Sequence, residues 1–235
     1  MESSGRRGLP PPAPPAERTA GQLVGEALRL YGRRFWRSLA LGLGPVAVAV
    51  GVNALPSPEN LIFAATAGAV VVTLCYIGAC LLARPTNLTR RSFATALVVG
   101  TLVFAPVPFL TRILVLPAVA WLALFGLAVP VVLYEARGLR ESLGRAVALA
   151  RADFIHALGS LATLAIVGFV SALVLSSLLV QFGDQARSTA ALLPLLLVSP
   201  VLLLGAAQLY FDQAARVAPA PAREGLTSPR PRGGK

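Results

Sequence analysis

The chain has 235 residues, of which 56% are hydrophobic and only 13% charged, and its formal net charge is +11. Soluble domains are about a quarter charged, and here the charges gather in a few segments between long apolar runs, which excludes a soluble fold. Runs near 20 residues match a hydrocarbon core of roughly 30 Å at about 1.5 Å per helical residue; the basic excess belongs to loops beside those runs, where anionic lipid attracts it, so no nucleic-acid partner is implied.

Residues 1–18, MESSGRRGLPPPAPPAER, are basic and proline-rich and read as a disordered arm. The segment TAGQLVGEALRLYGRRFWR follows with a helical pattern over 20–37. Leu23, Ala27, Tyr31 and Phe35 recur on an apolar side widened by Val24, Leu28 and Trp36, while Glu26, Arg29, Arg33 and Arg37 line the other side. Such a helix lies in the membrane interface, with its arginines reaching anionic headgroups, or packs on the bundle as a lead-in. The first apolar run starts near Ser38, too far along for a signal peptide, and reads as a retained span.

Six spans are predicted, at 39–55, 61–83, 93–110, 113–134, 155–180 and 192–210. Only Thr111 and Arg112 separate the third from the fourth. Fused, the two would be about twice the length of one crossing, so a tight hairpin turning at Thr111 is expected, helped by Pro106 and Pro108. Charge supports the count. With both termini in the cytoplasm, all but Arg112 and Arg187 of the 21 basic residues fall on the inner side, as the positive-inside rule requires. Residues 217–235 read as a disordered basic tail.

The loop EARGLRESLGRAVALARADF repeats the character of the first amphipathic segment. Leu139, Leu143, Val147, Ala150 and Phe154 form an apolar stripe, and Arg137, Glu141 and Arg145 follow one another at i, i+4 spacing. A shorter basic segment, RPTNLTRRS, precedes the third span. The architecture is therefore all-α: three two-span hairpins, each behind a cytoplasmic lead-in. Membrane helices associate through small residues, and Gly42, Gly44, Gly68, Gly78, Gly159, Gly168 and Gly205 are read as close helix contacts.

Ionisable side chains are absent from the span interiors, although proton relays and ion-coupled transporters need them there. Hydroxyls such as Thr66, Thr73, Thr163 and Ser177 are expected to bond their own helix backbone. The one histidine, His156, follows Asp153 by three residues at the mouth of the fifth span. This pair supplies too few ligands for a metal, and no cofactor motif is present. Cys75 and Cys80 fall on different helix faces and suggest no disulfide. Glu135 and Asp212 close the fourth and sixth spans, where each can hold an arginine of an interfacial segment. The candidate polar site, interfacial or structural in role, thus comprises Glu135, Arg145, Asp153, His156, Tyr210 and Asp212.

Three pieces carry a resemblance to known proteins: AGQLVGEALRLYGRRFWRSLAL, PVVLYEARGLRESLGRAVALARADFIHALG and LYFDQAAR. On these the chain resembles bacterial six-helix membrane proteins similar to the membrane domain attached to some glycerophosphodiester phosphodiesterases. Glu135, Gly138, Arg145, Phe154, Tyr210 and Asp212 fall on the recurrent positions of that pattern. The chain departs from it at Ala146, usually serine, at Ala152, usually glycine nearby, and after Asp212, where an arginine often follows. The resemblance covers residues 20–216 and implies no hydrolase activity, because no phosphodiesterase barrel is present in these residues. Richness in Arg, Ala and Pro suggests a bacterial plasma membrane. Three functions stay open: a non-enzymatic accessory or scaffold in transport, lipid handling or envelope assembly; a small-solute or lipid transporter with a hydroxyl-lined cavity; and an interfacial enzyme using Asp153, His156 and Glu135. The partners expected are anionic headgroups at the cytoplasmic face and a protein partner in the membrane.

Overall fold

The computed structural model describes residues 19–180 and 184–217, with the side chains of residues 179–191 set aside. The predicted arm, the basic tail beyond Val217 and the side chain of Arg187 lie outside the described residues. Within them the structure is all-helical, with six helices long and apolar enough to cross a membrane.

Helix α1, Ala20–Arg33, opens on a capping box in which Thr19 accepts from the Gln22 amide and Gln22 reaches back to the Thr19 amide. Its Leu23 and Ala27 are fully buried against α10 (Phe154–Val180) and α11 (Asp184–Val217). The predicted helix over 20–37 is shorter than expected. It breaks at Arg34 (φ −127°, ψ 43°), and Phe35 already opens α2, Phe35–Ala54. Gly32 and the adjacent charges of Arg33 and Arg34 weaken the helix where the chain must turn from the bundle surface into the first span.

The second span joins α3 (Glu59–Phe63) to α4 (Ala69–Ala83) through a π-helical turn, Ala64–Gly68. The third is α5 (Arg90–Phe104), capped by Thr89, followed by α6 (Val107–Ile113). The Pro106–Pro108 element bends this span without ending it. Trp121 Nε1 donates to the Val103 carbonyl at 2.8 Å and so satisfies an acceptor left open at the bend. The hairpin turn expected at Thr111 lies instead at Leu114, the extended residue (φ −162°, ψ 151°) between α6 and α7 (Val115–Phe125). Thr111 stays helical, its hydroxyl bonded to the Val107 and Pro108 carbonyls. Pro117 sets the position, because its ring would collide with the Ile113 carbonyl if the helix continued.

The fourth span completes with α8, Ala128–Glu135. Pro130 cannot donate to the Gly126 carbonyl four residues earlier. The hydroxyl of the buried Tyr76 does so from α4, at 3.2 Å. Helix α9, Leu139–Ala152, packs on α5, α7, α8 and α11. Its buried face corrects the predicted stripe: Ser142, Ala146, Leu149 and Ala150 are buried, whereas Leu139 is 39% exposed and Leu143 and Val147 are half-buried. Small residues and Leu149 form the face that meets its neighbours, while Leu139 turns outward.

The centre of the bundle is α11, which contacts α1, α2, α4, α9 and α10 and fully buries Leu204, Ala207, Leu209, Asp212 and Gln213. Gly42 of α2 lies so close to it that a Cβ there would sit 2.1 Å from the Leu196 carbonyl oxygen, the acceptor that Pro200 leaves without its helical donor. Only glycine fits this crossing. The other small residues named above also meet neighbouring helices, except Gly159, which has nothing within 4 Å of a Cβ position.

Candidate functional site

Spans alternate in direction, so the ends of α4, α8 and α11 gather with the starts of α5 and α10 at one end of the bundle. Most described arginines lie there. At the other end, Pro108, Thr111 and Arg112 face Asn60 and Leu61 across a shallow pocket.

Two polar clusters occupy the arginine-rich end, and both include residues of α11. The first is built on Glu135, the last residue of α8. Ala136 then takes the left-handed conformation (φ 52°), which reverses the chain and lets Arg137 fold back. Arg137 Nε binds the carboxylate at 2.7 Å and Arg145 Nε, from α9, at 3.4 Å. Both arginines converge on Glu135 in place of the predicted ladder through Glu141. Tyr210 of α11 donates its hydroxyl to the same carboxylate at 3.1 Å. The Tyr210 ring stacks on Tyr134 with centroids 5.4 Å apart, and Tyr134 donates at 2.6 Å to the Cys80 carbonyl near the end of α4, which also accepts from the Arg84 amide. Glu135 thus anchors α9 and α11 to α8, the arginine-holding role expected of it.

The second cluster lies at the start of α10. Asp153 does not bond the His156 ring; its Oδ1 accepts from the His156 backbone amide at 3.2 Å, an N-cap geometry. Its Oδ2 takes Arg216 of α11 at 3.0 Å. The His156 ring is 3.3 Å from Arg216 and 3.4 Å from the Ser160 hydroxyl, with the buried Asp212 carboxylate 4.0 Å away. This cluster ties α10 to α11.

The six predicted site residues therefore divide. Glu135, Arg145 and Tyr210 meet in one cluster; Asp153, His156 and Asp212 meet in the other. The hydrogen bonds and ion pairs of Glu135 go to Arg137, Arg145 and Tyr210, so it does not join Asp153 and His156 in a catalytic constellation. Among the described residues no group of His, Cys, Asp or Glu is arranged to hold a metal. The span hydroxyls behave as structural groups: Thr66, Thr73, Thr163 and Ser177 each donate to the carbonyl four residues earlier at 2.7–2.8 Å.

The features that sequence reasoning missed are apolar. A partly open pocket of about 170 Å³ lies between the helices, walled by Tyr76 and Phe104, Leu122 and Leu127, and Leu161, Leu164 and Ala206 among others, with no charged side chain. The Tyr76 hydroxyl at its edge is already bonded to Gly126. Beside the pocket, a groove of about 370 Å³ runs between α1, α10 and α11, and Leu164 and Leu202 line both spaces. No periodicity announces such cavities, because five or more separated segments make the walls. Comparison with protein-family models, curated proteins and solved structures finds no match to this chain.

Proposed function

We propose that this protein is a non-enzymatic, multi-pass protein of a bacterial plasma membrane that handles lipid, with its arginine-rich end facing the cytoplasm. One observation carries the reading: a partly open pocket lined by apolar side chains adjoins a second apolar groove, and Leu164 and Leu202 line both. Such a space suits a hydrocarbon chain and disfavours a hydrated solute. Four of the span hydroxyls, Thr66, Thr73, Thr163 and Ser177, are spent on their own helices. The two polar clusters supply rigidity where α8, α9, α10 and α11 meet, and the positive-inside asymmetry sets the orientation.

The resemblance to the membrane domain of glycerophosphodiester phosphodiesterases is consistent with this role, as a chain-holding module beside lipid-derived substrates. The test is to purify the protein in mild detergent and weigh what accompanies it. A stoichiometric lipid supports the proposal. A stoichiometric protein partner with no lipid would overturn it in favour of a scaffold.

A further inference from the structure

The groove beside α1 has chemistry that a plain lipid contact surface lacks. Its walls are mostly apolar, from Val24 and Leu28 of α1, Val167 of α10 and Val198 of α11, with Ser171 the one hydroxyl on the α10 side. At its α1 side stands one polar group, the Tyr31 hydroxyl, which is screened from solvent and has no hydrogen-bond partner. A buried hydroxyl without a partner costs free energy unless something arrives to accept from it. Tyr31 also packs edge-on against Phe35, which lines the same groove, and Trp36 beside it is 78% exposed.

Within about two turns of Tyr31 lie Arg33, Arg34 and Arg37, all exposed. Arg29 has an acidic neighbour, Glu26 at 3.8 Å, whereas no ion pair is formed by these three among the described residues. Arg34 sits at the N-terminal cap of α2 without a side-chain hydrogen bond to the first turn, so the amides there are uncapped by protein. An apolar groove, an unsatisfied donor at its wall and an unneutralised cationic cluster at the helix junction together match an amphiphile with a hydrocarbon chain and an anionic head.

We infer that this groove binds one anionic phospholipid, its chain lying between α10 and α11 and its phosphate held by Arg33, Arg34 and Arg37. The inference rests on the lipid-handling reading and specifies the ligand and its port of entry. The Tyr31 hydroxyl donates to a phosphate or ester oxygen, and the chain extends past Leu164 and Leu202, which line both spaces, into the adjoining pocket.

The test uses the full chain in nanodiscs of equal parts phosphatidylcholine and phosphatidylglycerol, followed by native mass spectrometry of the lipid that stays bound. Phosphatidylglycerol is expected to be retained preferentially. The double substitution R33Q/R34Q is expected to lower its retention about thirtyfold, about 1 kcal/mol for each arginine near an anionic headgroup. Tyr31→Phe is expected to lower it about fivefold, one hydrogen bond's worth. The exposed pair on α9, changed as R140Q/R151Q, is expected to leave it unaltered. Equal loss in both arginine pairs would overturn the site, because general surface attraction would then explain the preference. Retention of phosphatidylcholine and phosphatidylglycerol alike would also overturn the site while leaving lipid handling intact. Retention of neither would overturn both.

Discussion

Tyr76 offers a sharp perturbation because its hydroxyl has a single, physically defined task. Pro130 removes the amide that would otherwise satisfy the Gly126 carbonyl, and Tyr76 replaces it from another helix at 3.2 Å. Tyr76→Phe keeps the ring, including its edge-on contact with Phe104 at 5.8 Å, and strands the carbonyl beside an apolar cavity. Hydrogen bonds between membrane helices average about 0.6 kcal/mol and reach about 1.7; a buried acceptor left unmet lies toward the upper end, so a loss of about 1–1.5 kcal/mol is expected. Pro130→Ala restores an amide at the helical position. In that background Tyr76→Phe should cost only a few tenths of a kcal/mol, since the carbonyl no longer depends on the hydroxyl. Reversible unfolding of the four proteins in mixed micelles gives the coupling energy directly. A Tyr76→Phe cost that is the same in both backgrounds would refute the reasoning.

Other perturbations address other links. Gly42→Ala should destabilise the bundle by about 1–3 kcal/mol, because α2 must move off the Leu196 carbonyl; Gly159→Ala, with open space around it, should stabilise α10 by roughly 0.5–1 kcal/mol in the same thermal unfolding assay. Asp153→Ala should cost about 1 kcal/mol through the lost cap of α10, and Asp153→Asn should recover most of it, since asparagine caps as well as aspartate; equal loss in both would place the effect in the Arg216 ion pair. With Cys75 and Cys80 replaced, a cysteine at Arg112 should react with an impermeant maleimide added outside intact cells, and one at Arg140 should react only after lysis. The reverse pattern would invert the proposed orientation.

Much of the fold was legible because membranes impose strong rules on sequence. The span count followed from apolar length, whereas Pro106 and Pro108, read as helping the hairpin turn, only bend the third span. The error at Thr111 is instructive. Polarity pointed to the Thr111 and Arg112 pair, but backbone sterics decided the turn, and the residue that matters, Pro117, lies inside an apolar run. On α9 the predicted stripe was right at Ala150 but rotated elsewhere: Ser142, Ala146 and Leu149 face protein while Leu139 is left exposed.

The candidate site was legible as a list and illegible as a map. Glu135 and Tyr210, 75 positions apart, join across α8 and α11, and Asp153 and Arg216, 63 apart, join across α10 and α11. Local spacing holds no information about such pairs. It did place Asp153 near His156 at the mouth of the fifth span, where the partner proves to be the His156 amide and not its ring. The inner cavity was invisible for a related reason: each wall residue reads as ordinary span composition, and only the packing around α11 leaves a space between them.

Native mass spectrometry of the protein beside its Ala206→Phe variant tests the lipid-handling account most directly. Ala206 lines the inner cavity, and a phenyl ring there occupies the volume proposed for a hydrocarbon chain. The parent should carry a lipid-sized adduct that survives delipidating washes, and the folded variant should lose it. An adduct equally occupied on both proteins, or a parent that emerges without lipid, would contradict the account.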